Sequence, residues 1–144
     1  MKNKFSMKTV CMLGIQMIER TEYIHSKKII HRDIKPDNFC KGRNKNEHIV
    51  YLIDFGLSKK YWYTTHKCHI QFISGKKLTG KARYASINAL SGFEQSRKDD
   101  LESIAYILIY FLKDRLPWQE LKGKNKEEKY KKILEKKKEI SSGM

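Results

Sequence analysis

Two polar clusters and the spacing between them limit what this chain can fold into more than any other feature. The first is His31-Arg32-Asp33-Ile34-Lys35-Pro36-Asp37-Asn38, and the second, Asp54-Phe55-Gly56, begins sixteen residues after Asn38. Between them Phe39-Cys40 and Ile49-Val50-Tyr51-Leu52-Ile53 read as short strands, as does Ile29-Ile30 ahead of the first cluster. The polar, glycine-containing loop 41–48 joins the middle two as a small hairpin. The strand ending at Ile53 carries Asp54 to a cleft, while Pro36 and Gly56 allow the tight turns such a loop needs.

Around this centre the apolar pattern is helical. Over 6–26 Val10, Leu13, Met17 and Ile24 recur at helical spacing, and Ser6 stands where it can cap the first turn. A second helix is expected over 99–113, where residues 101–112 are apolar on nearly every side and suit the centre of an α-rich domain; Leu116-Pro117 ends it. A third, over 126–140, sets Tyr130, Ile133, Leu134 and Ile140 against a Lys/Glu-rich remainder that reads as a solvated face rather than a basic binding helix. Residues 58–91 hold no period, are punctuated by Gly75 and Gly80, and are too many for an ordinary connection, which marks a functional or disordered segment.

A chain of 144 residues with 40% hydrophobic content has room for one domain with a modest core, and no linker or repeat divides it. Its 31 Lys and Arg against 16 Asp and Glu give a formal charge of +15, spread over both halves, which points to anionic partners. Cys11, Cys40 and Cys68 have no C-x-x-C spacing, which speaks against a disulfide framework and for a reducing compartment, the cytoplasm or nucleus. Cys11 is expected near the apolar side of the first helix as a small buried side chain. The start MKNKFSMKTV has no apolar signal region, and the longest apolar run, nine residues from Ile104, falls far short of a bilayer-spanning helix. No membrane partner is expected.

The two clusters match the protein-kinase catalytic loop, H-R-D-x-x-x-x-N, and the metal-binding D-F-G. Both in this order, with Asn38 in register, arise by chance in fewer than about one such chain in 10⁴. Phosphoryl transfer explains the residue types, because the γ-phosphoryl group spreads negative charge over its oxygens and the protein must position reactants and supply positive charge. Asp33 would accept the substrate hydroxyl's proton, Lys35 would steady the transferred phosphate, and Asn38 with Asp54 would hold the Mg²⁺ of Mg·ATP through hard oxygen ligands.

HSKKIIHRDIKPDNF, VYLIDFGLSKKY, LTGKARYASIN and EQSRKDDLES together resemble the casein kinase I group of Ser/Thr protein kinases, including Ser86-Ile87-Asn88 where most kinases carry A-P-E. The resemblance runs over about 5–140 and covers roughly the middle half of that family's catalytic domain. It implies a protein-kinase-like α+β fold, represented over 1–144 by a mainly helical C-terminal lobe with a small β-hairpin, the N-terminal lobe being absent. Within it fall the catalytic loop 31–38 and an activation segment 54–88. The implied activity is transfer of the ATP γ-phosphate to protein Ser/Thr hydroxyls at acidic or phosphate-primed sites, by a monomer.

The same resemblance puts Thr79 beside Asp33 and Lys35, and has Asp100 hydrogen-bond the catalytic-loop backbone, with His31 and Arg32 as further support. Its anion pocket maps onto Arg83 and Lys122, which suits the charge and the strength of Arg–phosphate pairing. Asp114, where the family usually has glycine beside that pocket, and Arg115, in place of a small residue, are expected to bear on substrate preference. Lys81 for a threonine and Ala105 for a glycine are milder departures.

A complete kinase needs, upstream of the catalytic loop, a Gly-rich loop over the ATP phosphates, a V-A-I-K lysine and a partner glutamate. Only 30 residues precede His31, and the eight glycines contain no G-x-G pair. The isolated chain is therefore expected to be a poor catalyst. A reading from another class is a catalytically silent, truncated lobe that binds acidic or phosphorylated proteins. Three other patterns are decoys. Residues 75–82 nearly spell Walker A, but Ala82 lacks the terminal hydroxyl and no strand precedes it. His66, Cys68 and His69 have no second cluster to complete a metal site. Lys76, Lys77, Lys81 and Arg83 lack interleaved aromatics, so no specific nucleic acid is expected.

Overall fold

A computed structural model describes residues 4–142; residues 1–3 and 143–144, the ends of the expected 1–144 domain, lie outside it. Helix α1 (Met7–Ser26) begins where the Thr9 N–H donates to the Ser6 hydroxyl at 3.1 Å. Val10, Gly14, Met17, Thr21 and Ile24 form its buried stripe. Cys11 lies one residue off that stripe, about 100° round the helix, and is exposed, which corrects the expectation of a buried thiol.

Three short antiparallel pairs follow. Strand β1 (Ile29–Ile30) pairs with β4 (Lys59–Lys60), and β2 (Phe39–Lys41) with β3 (Val50–Leu52) in the register Phe39 to Leu52. The hairpin loop is closed by the Gly42 N–H donating to the Ile49 carbonyl at 2.9 Å. A second hairpin, β5 (Trp62–Tyr63) with β6 (Cys68–His69), lies inside the aperiodic stretch, as does the single-turn helix α2 (Ile87–Leu90). Strands of two residues are too short to show a period, which is why 58–91 reads as featureless.

Helix α3 (Arg97–Lys113) starts two residues earlier than expected, because the Asp99 carboxylate accepts the Ser96 N–H at 2.6 Å and satisfies an N-terminal donor. It packs on α1 so closely that a Cβ on Gly14 would stand 3.2 Å from Leu108 Cδ1. It is not buried all round. Ile104 and Ile107 lie in the core, whereas Leu101 is 45% and Ile109 42% exposed, with Ala105 exposed between them. Leu101, Ala105 and Ile109 form a narrow exposed stripe along a helix that otherwise packs on its neighbours.

Helix α4 (Lys126–Ser142) buries Ile133 and half-buries Tyr130, Leu134 and Ile140, and the same stripe holds Lys137. That lysine is 2% exposed and does not belong to the solvated face assigned to the helix's charged residues. The main core joins α1, the loop after β1, the segment before α2, α3 and α4 through Met17, Ile34, Tyr84, Ile107, Trp118 and Ile133. Among the described residues no helix is long and apolar enough to cross a membrane.

Candidate active site

The two motifs meet through backbone. The Asp33 N–H donates to His31 Nδ1 at 3.3 Å, so Nε2 carries the proton and donates to the Ile53 carbonyl at 3.0 Å. The Ile53 N–H returns to the Asn38 carbonyl at 3.0 Å, and Arg32 Nε donates to the Leu57 carbonyl at 2.7 Å. The Phe55 ring meets the His31 ring edge-on at 5.2 Å.

Arg32 and Asp54 both adopt left-handed backbone, φ 68° and 62°. Such a conformation costs a residue with a Cβ about 1–2 kcal/mol and persists only where the surroundings over-determine it. For Arg32 they do. Asp100, 1% exposed near the start of α3, accepts the His31 N–H at 2.8 Å, the Arg32 N–H at 2.9 Å and His25 Nε2 at 2.8 Å.

Asp33 is 7% exposed, and its Oδ2 accepts Lys35 Nζ at 2.5 Å and Asn38 Nδ2 at 3.3 Å. The hydrogen bond to Asp33 holds the Lys35 ammonium above its ordinary pKa despite partial burial. Asn38 Nδ2 also donates to the Asp33 carbonyl at 2.8 Å, which turns its amide oxygen away from the aspartate. Asp54 is exposed, and its Oδ1 accepts the Gly56 N–H at 3.3 Å. Among the described residues no group of three or more His, Cys, Asp or Glu could enclose a metal by itself. One amide oxygen and one carboxylate suit Mg²⁺, which keeps waters and phosphate oxygens in its shell.

Gly80, at φ 86°, presses against this loop: a Cβ there would stand 2.6 Å from the Arg32 carbonyl oxygen and 3.0 Å from Asp33 Oδ1. Thr79 lines a smaller neighbouring pocket with Arg32, Lys59, Lys76 and Glu94. Burial alone would raise the Glu94 pKa, but Lys59 at 2.9 Å and Lys76 at 3.4 Å hold it below the usual carboxylate value.

A cleft of about 600 Å³ opens over Asp33 and Lys35 and is lined as well by Lys81, Arg83, Trp118, Lys129 and Tyr130. Lys35, Lys81, Arg83 and Lys129 thus bring four cations to one opening. Lys122 does not line it, and its carbonyl accepts Lys132 Nζ at 3.1 Å. Lys129, in the first turn of α4, is the cation that sequence reasoning missed, because a Lys/Glu-rich run gives no sign of which exposed lysine borders the cleft. Asp114 and Arg115 line a different depression with Lys4 and Lys113. Asp114 caps α3 in left-handed backbone, φ 62°, a conformation that glycine adopts without a Cβ penalty.

A family model described as the protein kinase domain matches residues 1–143. The match spans almost the whole chain and includes both motifs that the backbone bonds draw together. The chain belongs to the protein kinase domain family.

Proposed function

We propose that the chain is the larger, helical lobe of a Ser/Thr protein kinase of casein kinase I type, whose cleft takes acidic or phosphorylated protein segments. The observation that supports this reading best is the single opening that Asp33 shares with Lys35, Lys81, Arg83 and Lys129. In that geometry Asp33 takes the proton of the attacking Ser or Thr hydroxyl, and Lys35, already bonded to Asp33, swings its charge toward the transferred phosphate. Asn38 and Asp54 would hold Mg²⁺, which neutralises charge on the ATP phosphates. Lys81, Arg83 and Lys129 would receive the acidic or phosphorylated flank, where Arg–phosphate pairing is strongest. A second reading, a binding module without catalysis, draws on the same basic opening.

Incubation of the purified chain with radiolabelled Mg·ATP and casein, beside D33N, tests the enzyme reading. Transfer that D33N abolishes supports it, and equal transfer in both proteins overturns it. No transfer, with an aspartate-rich phosphoserine peptide bound at least tenfold more weakly by R83A and K129A, favours the binding module.

A further inference from the structure

One cation of α4 is shut away from solvent. Lys137 Nζ lies 4.0 Å from the ring centroid of Tyr106 and 4.6 Å from that of Trp118, and it donates to the Ala85 carbonyl oxygen. Trp118 in turn donates its indole N–H to the Arg83 carbonyl at 2.7 Å. The chain just beyond is fixed from α3: the Ser86 hydroxyl donates to Asp99 at 2.6 Å, and the Ile87 N–H donates to Glu102 at 2.8 Å.

Burying an ammonium with no carboxylate bonded to it is unfavourable, and an apolar side chain of that volume would pack at lower cost. An apolar side chain could not, however, hold the Ala85 carbonyl and the face of Trp118 together. Burial lowers the pKa of Lys137 to about 7, against the pull of Glu102. The nitrogen donates to Ala85 in either protonation state.

We propose that Lys137 is a positioning residue for the cleft: by gripping Ala85 and Trp118 from α4, it sets the path of residues 81–85 past Asp33 and so the placement of Arg83. The proposal rests on the reading of that cleft as the protein-substrate site. Lys137 touches none of Asp33, Lys35, Asn38 or Asp54, so its removal acts on substrate placement and not on the phosphoryl-transfer groups.

The test uses the full 144-residue chain and K137M, read by amide hydrogen exchange and by affinity for a fluorescent, aspartate-rich phosphoserine peptide. Exchange at residues 83–87 is expected to rise at least tenfold with α1 unchanged, and peptide affinity to fall at least fivefold. Exchange rising equally throughout α3 and α4 with peptide affinity unchanged means ordinary core packing and overturns the proposal. Unchanged exchange at 83–87 overturns it as well. A wild-type chain that does not bind the peptide sinks the reading of the cleft instead, and the exchange comparison still decides whether the grip exists. Should K137M fail to fold, K137Q is judged by the same two readouts.

Discussion

At Asp114 the chain ends α3 in left-handed backbone, with its N–H on the Tyr110 carbonyl at 2.7 Å. Glycine meets that geometry without a Cβ penalty, so D114G should raise stability by about 1 kcal/mol. Urea unfolding measures this, and peptide affinity should stay unchanged because Asp114 does not line the cleft. Lys137 gives the residue scale a pH signature. Its ordinary pKa is 10.5 and burial lowers it to about 7. Below pH 7 folded and unfolded chains both carry the proton, and the full cost of burying the charge is present. Between about pH 7 and 10 the unfolded chain holds more protons than the folded one, so stability should rise with pH, by on the order of a few kcal/mol. Tyr84 and Tyr106, whose hydroxyls burial pushes above their ordinary pKa, reverse the trend above pH 10. Thermal unfolding from pH 6 to 9.5 checks the rise, and K137M should flatten it.

At the scale of elements, glycines 75 and 80 make a controlled pair, since both have positive φ but only one is crowded. A Cβ on Gly75 meets nothing within 4 Å, whereas one on Gly80 meets the Arg32 carbonyl oxygen at 2.6 Å. G75A should cost about 1 kcal/mol from backbone strain alone, and G80A roughly 2–3 kcal/mol more, because the backbone at Arg32 and Asp33 must shift. Chemical denaturation ranks them, and equal costs would contradict the packing. The same elements show what the amino-acid order can express. Long helices announce themselves by period and cap, as α1 does through Ser6 and its four-residue apolar returns, and the motif spacing draws Asp33 and Asp54 to the two ends of a hairpin. Pairs as short as β5 and β6 have no period to display. Apolar residues on α3 signal burial without naming a partner, so Leu101 and Ile109 read as core and stand exposed. Lys129 and Lys137 were hidden for a related reason: composition marks α4 as charged, and only the fold decides that one lysine borders the cleft and another enters the core.

The molecule as a whole carries +15 on 144 residues. Self-repulsion of that size works against the compact state, so added salt or inorganic phosphate should raise the unfolding midpoint. Scanning calorimetry in a sodium chloride series checks this. The exposed stripe of Leu101, Ala105 and Ile109 reacts to the same salt in the opposite sense. At 0.01 M ionic strength the screening length is about 30 Å and like-charged molecules keep their distance; at 1 M it is about 3 Å and the stripes can touch. The chain should therefore be colloidally stable in dilute buffer and begin to cluster as salt rises, so that the conditions that best protect its fold are those in which its solutions turn cloudy first.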